Sequence, residues 1–505
     1  SWADADNNVI LNMDILNNIN NSGYYKKEIL EGVSKANIYE SELLDNMNCI
    51  YLPPLRDAET KLVEGRSSRL AKLLKKLYKE EIEQKKKDNQ EIEIVKATKE
   101  FNQNLAKGKE YKIGEANKKI NEKMKEIIGN TFGQSTNIQF SEINFDKIIH
   151  SLRLMFFPKV GEIDIEKFRN ISENSLGYNN LLYMATILAE IELAGESYKA
   201  ILIEEPEAHL HPQLQVQFIK YIEKIVKDKQ NLQIIITTHS NVLALSVSIK
   251  NIIHVAEKNN MIEATNIANI GLEDEKIKFI DRWLDATKSN LLFAKGIIFV
   301  EGISEGILVP ELAKICLKEY NEIHKEAKLS STLEEAGISV INMNGIYFKY
   351  FMALYCNTSE LLQDKENTKE RMKNRCAGIT DNDPDKDIYP IPEQSIKGKN
   401  PALKLILIIK KSSNARLYGS PLKTFEYDLC MEGNSKIMAE TLKELWTKEN
   451  ESENGVKNKL QIIVNKEDEY ENEEVLSKDS KYILDKIEDD EIGKGLFAQA
   501  LADRL

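Results

Sequence analysis

The feature that most constrains this chain is a short apolar run, Ala200–Ile203, that ends abruptly in Glu204, Glu205 and Pro206. Runs of this kind are typical of buried strands in parallel sheets. Charged residues at the carboxyl end of such a strand lie at the sheet edge where α/β proteins bind ligands. Glu204 is therefore placed to hold a hydrated Mg²⁺, and Glu205 to activate a water against a γ-phosphate. An ordinary strand followed by a solvated turn is the alternative.

Two neighbouring stretches favour the ligand-binding interpretation. Downstream, the apolar run Leu232–Ile236 is followed by Thr237, Thr238 and His239, and a histidine at a strand end can reach a γ-phosphate. Upstream, Ser175 and Gly177 open a long apolar helix, and small residues before a helix suit anion binding at its N-terminus. The alternatives are a turn histidine and a plain N-cap.

The order of these motifs along the chain resembles that of known families. A helix-opening Ser/Gly, then strand-Glu-Glu, then strand-His resembles the signature, Walker B and switch-histidine order of ABC-type ATPase heads, as in structural-maintenance-of-chromosomes and RecF-like proteins. The string EEPEAHLHP at 204–212, and the run PPLRDA at 53–58 followed by GRSSRL at 65–70, resemble the overcoming-lysogenization-defect (OLD) family.

That resemblance implies a role for each motif residue. Glu204 would be the Walker B acid that binds Mg²⁺ with ATP, and Glu205 the catalytic base. His239 would be the switch residue. Ser175 and Gly177 would form the signature that acts on nucleotide held by a partner head, which implies a homodimer or a higher homo-oligomer.

A phosphate-binding loop of the form GxxxxGK[ST] does not occur in the sequence. The nearest glycine-lysine strings, around Gly108 and Gly114, lie in charged helical sequence with the wrong spacing. Because the chain also begins with Ser1 and Trp2, we expect a fragment that lacks the N-terminal ATPase lobe. A degenerate head and a lobe on another chain are the alternatives, and in each case we expect this polypeptide to bind ATP poorly by itself.

Composition limits the class of protein. The 505 residues are enough for about three domains, and a net charge of -12 means that any contact with nucleic acid must come from local basic patches or bound metal. No apolar run reaches the roughly 18 residues of a membrane helix, and no signal peptide is visible. The five cysteines lack a CxxC spacing, which argues against zinc ribbons and a disulfide framework and fits a reducing cytoplasm.

A charged helical stretch separates the first strand motifs. Residues 66–130 read as a helical insertion, in which leucines recur at helical spacing at positions 70, 73, 74 and 77. It is either an antiparallel arm for dimer contact or DNA, or a solvated amphipathic hairpin. Residues 140–157 read as strand-turn-strand, and 272–286 as a charged helix that links to a second domain.

A second set of acids begins after another apolar strand, Gly296–Val300. Glu301 lies at the strand tip and Glu305 in the first helical turn, so the two could share a metal ion, although a carboxylate at a helix N-terminus also has a capping explanation. Later, Asp381 and Asp383 follow a further strand, and alternate residues of an extended strand end point the same way. Neighbouring carboxylates repel each other unless a cation joins them.

The order EGxSE, then DxD, then TFEYDL resembles the Toprim domain of OLD-family nucleases. The family implies Mg²⁺- or Mn²⁺-dependent cleavage of DNA, with Glu301, Glu305, Asp381, Asp383 and Glu426 as metal carboxylates. Two further residues follow from this resemblance. Thr424 would be a hydroxyl helper, and Lys494, in a KGxFA-like element, would stabilise charge on the transferring phosphate; a surface lysine at a helix start is the alternative for Lys494.

Two other motifs have weaker interpretations. Residues 302–306 fit the GxSxG nucleophile-elbow pattern around Ser304, but no Asp-then-His order follows. His209 and His211 have an HxH spacing that could bind metal, although the turn of the 204–212 motif explains them more simply.

The combined prediction is an α/β protein with an incomplete ABC-type ATPase head at 1–285, followed by a Toprim (Rossmann-like) domain at 286–505. The acidic stretch 449–490 is expected to be a peripheral insertion. The predicted function is metal-dependent nicking or cleavage of DNA, regulated by nucleotide, in cytoplasmic anti-phage defence, with a helicase-like or other defence protein as a further partner and no membrane.

Three rival functions remain. The first is a RecF-like ATPase clamp without nuclease activity. The second is a topoisomerase- or primase-like Toprim enzyme, which would need a tyrosine nucleophile domain or a nucleotidyl-transfer and zinc region. The third is an assembly subunit of a defence complex, which the missing phosphate-binding loop favours.

Overall fold

The structure of the chain is a computed structural model. It describes residues 30–31, 37–38, 47–54, 61–62, 64–65, 68–107, 112–128, 136, 138, 144–156, 168–193, 198–258, 260–284, 288–356, 370–394, 396, 398–447, 455–466, 472–490 and 492–505. The chain divides into two compact units, residues 1–238 and residues 239–505.

The described part of the first unit contains strands and helices in mixed order. The strands are β1 Leu30–Glu31, β2 Asn37–Ile38, β3 Met47–Leu52, β4 Met155–Phe156, β5 Arg169–Asn170, β6 Tyr198–Glu204 and β7 Leu232–Thr237. The helices are α1 Arg69–Leu77, α2 Lys79–Lys87, α3 Glu93–Lys107, α4 Lys112–Ile128, α5 Phe145–Ser151, α6 Leu176–Glu192 and α7 Pro212–Asp228.

The central sheet of the first unit is parallel, with the strand order β3-β6-β7. Strand β6 is the middle strand, and Ile201 and Ile203 on one of its faces are buried against helix α6 through residues such as Met184 and Ile187. Strand β6 ends at Glu204, which pairs with Thr237 of β7. The predicted acid Glu204 therefore lies at the carboxyl edge of the sheet.

The predicted helical insertion is helical wherever the structure describes it. Helix α1 is attached to the unit by ion pairs from Arg69 and Lys76 to Glu190 of α6, whose side chain is buried. Helices α3 and α4 instead carry many exposed charges with short-range pairs along each helix, such as Lys119 with Glu115. Of the two glycines in this stretch, Gly114 lies inside α4 and Gly108 lies outside the described residues.

The strand-turn-strand expected at 140–157 is wrong in its first half. Helix α5 occupies Phe145–Ser151, and the Asn144 side chain caps it by accepting a hydrogen bond from the Lys147 N–H at 2.8 Å. The short strand β4 follows this helix. Most of the PPLRDA run, from residue 55 onward, lies outside the described residues.

The described part of the second unit also mixes strands and helices. The strands are β8 Ile253–Lys258, β9 Met261–Asn266, β10 Gly296–Val300, β11 Ile338–Asn342, β12 Arg375–Thr380 and β13 Ala415–Gly419. The helices are α8 Asn241–Leu245, α9 Asp274–Trp283, α10 Ile303–Ile323, α11 Phe348–Phe351, α12 Leu403–Ile409, α13 Phe425–Leu429, α14 Ser435–Leu445, α15 Val456–Val464, α16 Glu473–Ile487 and α17 Gly493–Ala502.

The main sheet of the second unit is a four-stranded parallel sheet in the order β11-β10-β12-β13. Alternate residues of its strands, including Ile297, Phe299 and Leu417, are buried in one core. The same core contains Ile270 and Ile280 from the segment before β10, so this segment packs with the sheet that follows it. The boundary predicted at residue 285 stays a prediction.

The expectation of a peripheral acidic insertion at 449–490 is wrong for the described residues. Ile463 of α15 and Ile483 and Ile487 of α16 are buried in a core with Leu308 of α10 and Phe497 of α17. The acidic residues of α16 alternate with an apolar face, and burial of that face places the helix in the body of the unit. None of the described helices is long and apolar enough to cross a membrane.

Candidate active site

The topology of the second unit brings several acids to one edge of its sheet. From β10 the chain moves to β11 on one side and then returns to β12 on the other side. The crevice at the carboxyl ends of β10 and β12 is therefore the point where the strand order reverses, which is where open α/β sheets bind ligands. Glu301 follows β10 directly, and Asp381 follows β12 directly.

Glu301 is held by three donors on the same carboxylate oxygen. Its Oε1 atom accepts hydrogen bonds from the Thr380 hydroxyl, from the Asp381 N–H at 3.1 Å and from the Asn400 side-chain amide at 3.0 Å. Burial raises the pKa of Glu301, and these hydrogen bonds limit the rise. The first acid of the motif is thus fixed in orientation before any ligand binds.

Glu305 lies in the first turn of α10 and is buried. Burial raises its pKa, and the charge of Glu426 adds to the effect. Its carboxylate turns back over Gly302, because a Cβ atom at that glycine would lie 3.0 Å from Glu305 Oε2. The glycine of the EGxSE motif therefore leaves room for the second acid of the motif.

Asp381 is the most perturbed acid of the group. Burial and then the charges of Glu426, Glu305 and Glu301 raise its pKa to about 8. Its Oδ1 atom accepts a hydrogen bond from the Phe425 N–H at 2.9 Å. Burial and the neighbouring carboxylates therefore keep this carboxyl protonated near neutral pH. A cation bound here would relieve the repulsion between the carboxylates.

Asp383 has a different environment from Asp381, so the expectation that both point the same way from an extended strand end is wrong. Strand β12 ends at Thr380, and Asp383 has a positive φ of 47°. Asp383 is exposed, and its Oδ2 atom accepts a hydrogen bond from the Asn400 amide at 3.0 Å. The chain leaves the extended conformation too early for the alternation of a strand to apply.

Glu426 and Lys494 form an ion pair within the same group. Lys494 Nζ lies 3.0 Å from Glu426 Oε2, and Glu426 is fully buried in the first turn of α13. The other carboxylate oxygen, Oε1, is buried with no hydrogen-bond partner among the described residues. Burial lowers the pKa of Lys494, but the Glu426 carboxylate outweighs burial, so the pKa lies above its ordinary value and the ammonium stays charged.

The loop between β13 and α13 is held by a second buried acid. Asp428 accepts hydrogen bonds from the Lys423 N–H at 2.9 Å and the Leu422 N–H at 3.2 Å. The Lys423 carbonyl in turn accepts from the N–H groups of Asn382 and Asp383. Asp428 therefore supports the loop that packs on the DxD segment.

The donor chemistry of this group fits a divalent cation such as Mg²⁺ or Mn²⁺, because carboxylate oxygens are the ligands that these hard ions prefer. The buried, unpartnered Glu426 Oε1 atom also fits such a ligand. Among the described residues, however, no three histidine, cysteine, aspartate or glutamate side chains lie close enough together to hold one ion as they stand. In this arrangement Asn400 binds one carboxylate oxygen each of Glu301 and Asp383, and Lys494 binds one of Glu426.

Two side chains singled out by the sequence have structural contacts, and the helper role of Thr424 stays a prediction. The Thr424 hydroxyl, expected to assist the chemistry, caps helix α13 by accepting from the Tyr427 N–H at 3.4 Å. Ser304, the serine of the GxSxG pattern, is fully buried and donates to the Lys494 carbonyl at 3.2 Å, so it does not form an exposed nucleophile elbow.

Sequence reasoning missed Asn400. This residue lies in a loop before α12, far along the chain from Glu301, and it contacts both Glu301 and Asp383. The only local signal is Gly398, two positions before Asn400, and it matches no motif used above.

In the first unit, Glu204 and Glu205 lie at the carboxyl end of β6 as predicted. The Tyr51 hydroxyl of β3 donates to Glu204 Oε2 at 2.9 Å, and Glu205 has a positive φ of 41°. The Glu205 N–H donates to the Thr237 carbonyl, which extends the pairing of β6 and β7 beyond the strand. The structure thus gives Glu204 a hydroxyl partner from the neighbouring strand.

Of the two predicted signature residues, Ser175 caps its own helix and Gly177 contacts the turn that follows Glu205. Ser175 caps α6 by accepting from the Tyr178 N–H at 3.4 Å. A Cβ atom on Gly177 would lie 2.3 Å from the His209 carbonyl oxygen, so only glycine allows this approach. His211 caps α7 through a hydrogen bond from the Gln213 N–H at 3.3 Å, which explains it without a metal.

His239 follows β7 and Thr238 directly in the chain and is exposed. It opens the second unit, just before Ser240, which caps helix α8. The roles predicted for Ser175, Gly177, Glu204, Glu205 and His239 toward nucleotide stay predictions.

Two family models match separate parts of the chain. Residues 3–244 match the family model of an AAA ATPase domain, and residues 292–383 match the Toprim domain of overcoming-lysogenization-defect-like proteins. The chain is 26% identical over 354 residues to the endonuclease GajA of Bacillus cereus, a match that covers 63% of this chain and 46% of that protein.

Two further relatives are named OLD nucleases. The one from Thermus scotoductus is 27% identical over 180 residues, covering 34% of this chain and 32% of the relative. The one from Escherichia phage P2 is 24% identical over 242 residues, covering 44% of this chain and 40% of the relative. The matched parts are thus less than half the length of each of these relatives.

The fold and the site define a protein that joins an AAA-type ATPase domain to a Toprim domain with a parallel sheet and an acidic edge. Within that class, the chain is similar to the OLD-family nucleases, as its motifs predicted, and the expected fold class is confirmed.

Proposed function

We propose that this chain is a divalent-metal-dependent DNA endonuclease that nicks or cleaves its substrate with Mg²⁺ or Mn²⁺. The observation that carries the proposal is the convergence of Glu301, Glu305, Asp381 and Glu426, with Lys494, at the carboxyl edge of β10 and β12. The names of the relatives, endonuclease GajA and OLD nuclease, support the same activity.

The chemistry is hydrolysis of a phosphodiester, in which a water oxygen bonds to phosphorus and the bond to the leaving oxygen breaks. Glu301, Glu305, Asp381, Asp383 and Glu426 are the residues that would hold divalent metal. When bound, such an ion supplies Lewis-acid polarisation of the phosphate and lowers the pKa of a nearby water.

Lys494 contributes a fixed positive charge. Its ammonium is held beside Glu426, stays protonated, and keeps about a third of its side chain exposed. A cation held in place in this way stabilises negative charge that develops on the transferring phosphate without having to reorganise during the reaction.

We also propose regulation by nucleotide through the ATPase domain predicted at residues 1–285. Glu204 would hold Mg²⁺ with ATP, Glu205 would act as catalytic base and His239 as switch residue, while Ser175 and Gly177 would contact nucleotide on a partner head. This arrangement implies a homodimer or higher homo-oligomer. Anti-phage defence in the cytoplasm, with a helicase-like or other defence protein as partner, is the proposed context.

The test is nicking of supercoiled plasmid by this chain in Mg²⁺ or Mn²⁺, with and without ATP and with EDTA as a blank. Glu301→Gln and Asp381→Asn should each abolish cleavage. Glu311→Gln is the matched control, because Glu311 is an acid of the same helix as Glu305 whose described ion pair is with Lys314. We expect this control to cleave like the wild-type chain.

Two outcomes would contradict the proposal. The first is an absence of metal-dependent cleavage by the wild-type chain under all of these conditions, which would favour a clamp or an assembly subunit. The second is cleavage that survives both Glu301→Gln and Asp381→Asn, which would assign the activity to other residues or to a contaminant.

A further inference from the structure

We propose that Asn400 is a positioning residue that fixes the Glu301 and Asp383 carboxylates relative to each other for binding of a divalent cation. This inference rests on the proposed metal-dependent function and adds to it a residue that belongs to none of the acidic motifs.

One amide nitrogen of Asn400 contacts both carboxylates. Asn400 Nδ2 lies 3.0 Å from Glu301 Oε1 and 3.0 Å from Asp383 Oδ2, and so donates one hydrogen to each carboxylate. An amide group has two N–H donors, and both are used here. Asn400 is only 4% exposed, so these hydrogen bonds are protected from competition with water.

The Asn400 amide cannot act in the opposite orientation. Asn400 Oδ1 accepts a hydrogen bond from the Ala402 N–H at 2.9 Å. If the amide were flipped, its oxygen would face two carboxylates and its nitrogen would face an N–H donor, so three unfavourable contacts would replace three hydrogen bonds. The hydrogen-bond network therefore requires that the NH₂ group of Asn400 face the two carboxylates.

Backbone hydrogen bonds hold Asn400 beside the DxD segment. The N–H of Lys399 donates to the Asp383 carbonyl at 3.0 Å, and the N–H of Asn400 donates to the Asn382 carbonyl at 3.4 Å. A Cβ atom on Gly398 would lie 1.9 Å from the Asn382 carbonyl oxygen, so this approach requires glycine. The loop 398–400 is thus paired with the DxD segment at a fixed distance.

The consequence concerns the remaining oxygens of the two acids. Asn400 binds Oε1 of Glu301 and Oδ2 of Asp383, and no described residue donates to Glu301 Oε2 or Asp383 Oδ1. Two carboxylates this close repel each other without a bridging donor or cation. By bridging one oxygen of each, Asn400 holds the other two available for a cation and reduces the rearrangement that binding requires.

The test is the affinity of the metal-free protein for Mn²⁺, measured by titration calorimetry on the chain and on Asn400→Ser. Serine can still accept from the Ala402 N–H but is too short to reach both carboxylates. We expect the variant to bind Mn²⁺ about 10-fold more weakly, the lower end of the loss found when a residue that orients metal ligands is removed. In the nicking assay, the Mn²⁺ concentration for half-maximal rate should rise by a similar factor while the maximal rate changes less.

The matched control is Asn414→Ser. Asn414 is also a buried asparagine, but it lies at the amino end of β13, whereas the acids lie at the carboxyl edge of the sheet. Its side-chain amide donates to the Lys373 carbonyl. The Asn414→Ser variant should bind Mn²⁺ like the wild-type chain. A thermal unfolding curve of each variant establishes that it is folded.

The outcomes separate this inference from the proposed function. Wild-type affinity for Mn²⁺ in a folded Asn400→Ser variant would overturn the role of Asn400, whatever the nuclease assay shows. A chain that binds Mn²⁺ with the expected dependence on Asn400 but cleaves no DNA would contradict the proposed function and leave the positioning role supported.

Discussion

The ammonium of Lys494 lies 3.0 Å from Oε2 of Glu426, although 68 positions of sequence separate the two residues. Lys494 opens the last helix, α17, and Glu426 lies in the first turn of α13. A residue near the end of the chain therefore contributes a positive charge to the acidic edge of the sheet. Its single positive charge faces several carboxylates, and this imbalance leads to the first two predictions.

Replacing Lys494 with Met should destabilise the metal-free protein by about 2 kcal/mol. The change leaves the Glu426 carboxylate buried without this counter-charge, and breaking a buried ion pair costs about 3–5 kcal/mol. The smaller value applies because Lys494 is about one third exposed and solvent screens its charge. Urea unfolding with EDTA measures the difference. Lys494→Arg, which keeps the charge, should lose less, and equal loss in both variants would contradict the explanation.

The stability of the metal-free protein should fall as the pH rises toward about 8. Burial and the charges of Glu426, Glu305 and Glu301 raise the pKa of Asp381 to about 8, with Lys494 opposing them. Because the unfolded carboxyl titrates at about 4, the folded state binds an extra proton between these pH values. The stabilisation is complete below about pH 4 and is lost as the pH rises through the folded pKa.

Two measurements check this dependence. The thermal unfolding midpoint in EDTA should decrease between about pH 5 and 8 in the wild-type chain, and the decrease should be smaller in Asp381→Asn. Mn²⁺ binding at pH 7 should release about one proton, visible as a dependence of the calorimetric heat on the buffer. A midpoint that rises over this pH range, or no proton release, would be the contrary result.

The strand ends could be predicted from sequence because their pattern is local. An apolar run followed by a charge predicts both a buried parallel strand and the position of its last residue, and this argument correctly placed Glu204, Glu301 and Asp381 at sheet edges. Their approach to one another in the second unit then follows from the strand order, which brings the ends of β10 and β12 together.

The rest of the site depends on contacts that no local pattern encodes. Asn400 is 99 positions from Glu301, and its place depends on the close approach of Gly398 to Asn382. Asp383 departs from the strand alternation through its positive φ. Lys494 was found only by resemblance to a family, because a lysine at a helix start has no distinctive spacing.

Charge also misled the sequence analysis in one region. The acidic stretch around α16 reads as surface because acids dominate its composition, yet Ile483 and Ile487 are buried in the core. An amphipathic helix needs only one apolar face to join a core, so average charge over a segment is a poor guide to its burial.

Removing the Asp428 carboxylate should disturb the candidate active site through the loop before α13. Asp428 is buried and accepts hydrogen bonds from the N–H groups of Leu422 and Lys423. Asp428→Ala leaves both donors without their acceptor, at a cost of about 1–3 kcal/mol for each buried group. Urea unfolding and plasmid nicking should both show losses. Asp428→Asn, which keeps one acceptor oxygen, should retain part of the stability and part of the nicking activity. A stable, fully active Asp428→Ala variant would exclude the role of Asp428 in supporting this loop.

Replacing Gly177 with Ala should destabilise the first unit, although the same change inside a helix usually stabilises by up to about 1 kcal/mol. The added Cβ atom would lie 2.3 Å from the His209 carbonyl oxygen, and such overpacking costs about 1–3 kcal/mol or more. Gly306→Ala is the control, because its Cβ atom would make an ordinary contact of 3.7 Å with Asn342. Thermal unfolding should show a lower midpoint for Gly177→Ala alone. A midpoint unchanged or raised in this variant would mean that α6 can move away from the turn, and that Gly177 is not required by packing within the chain.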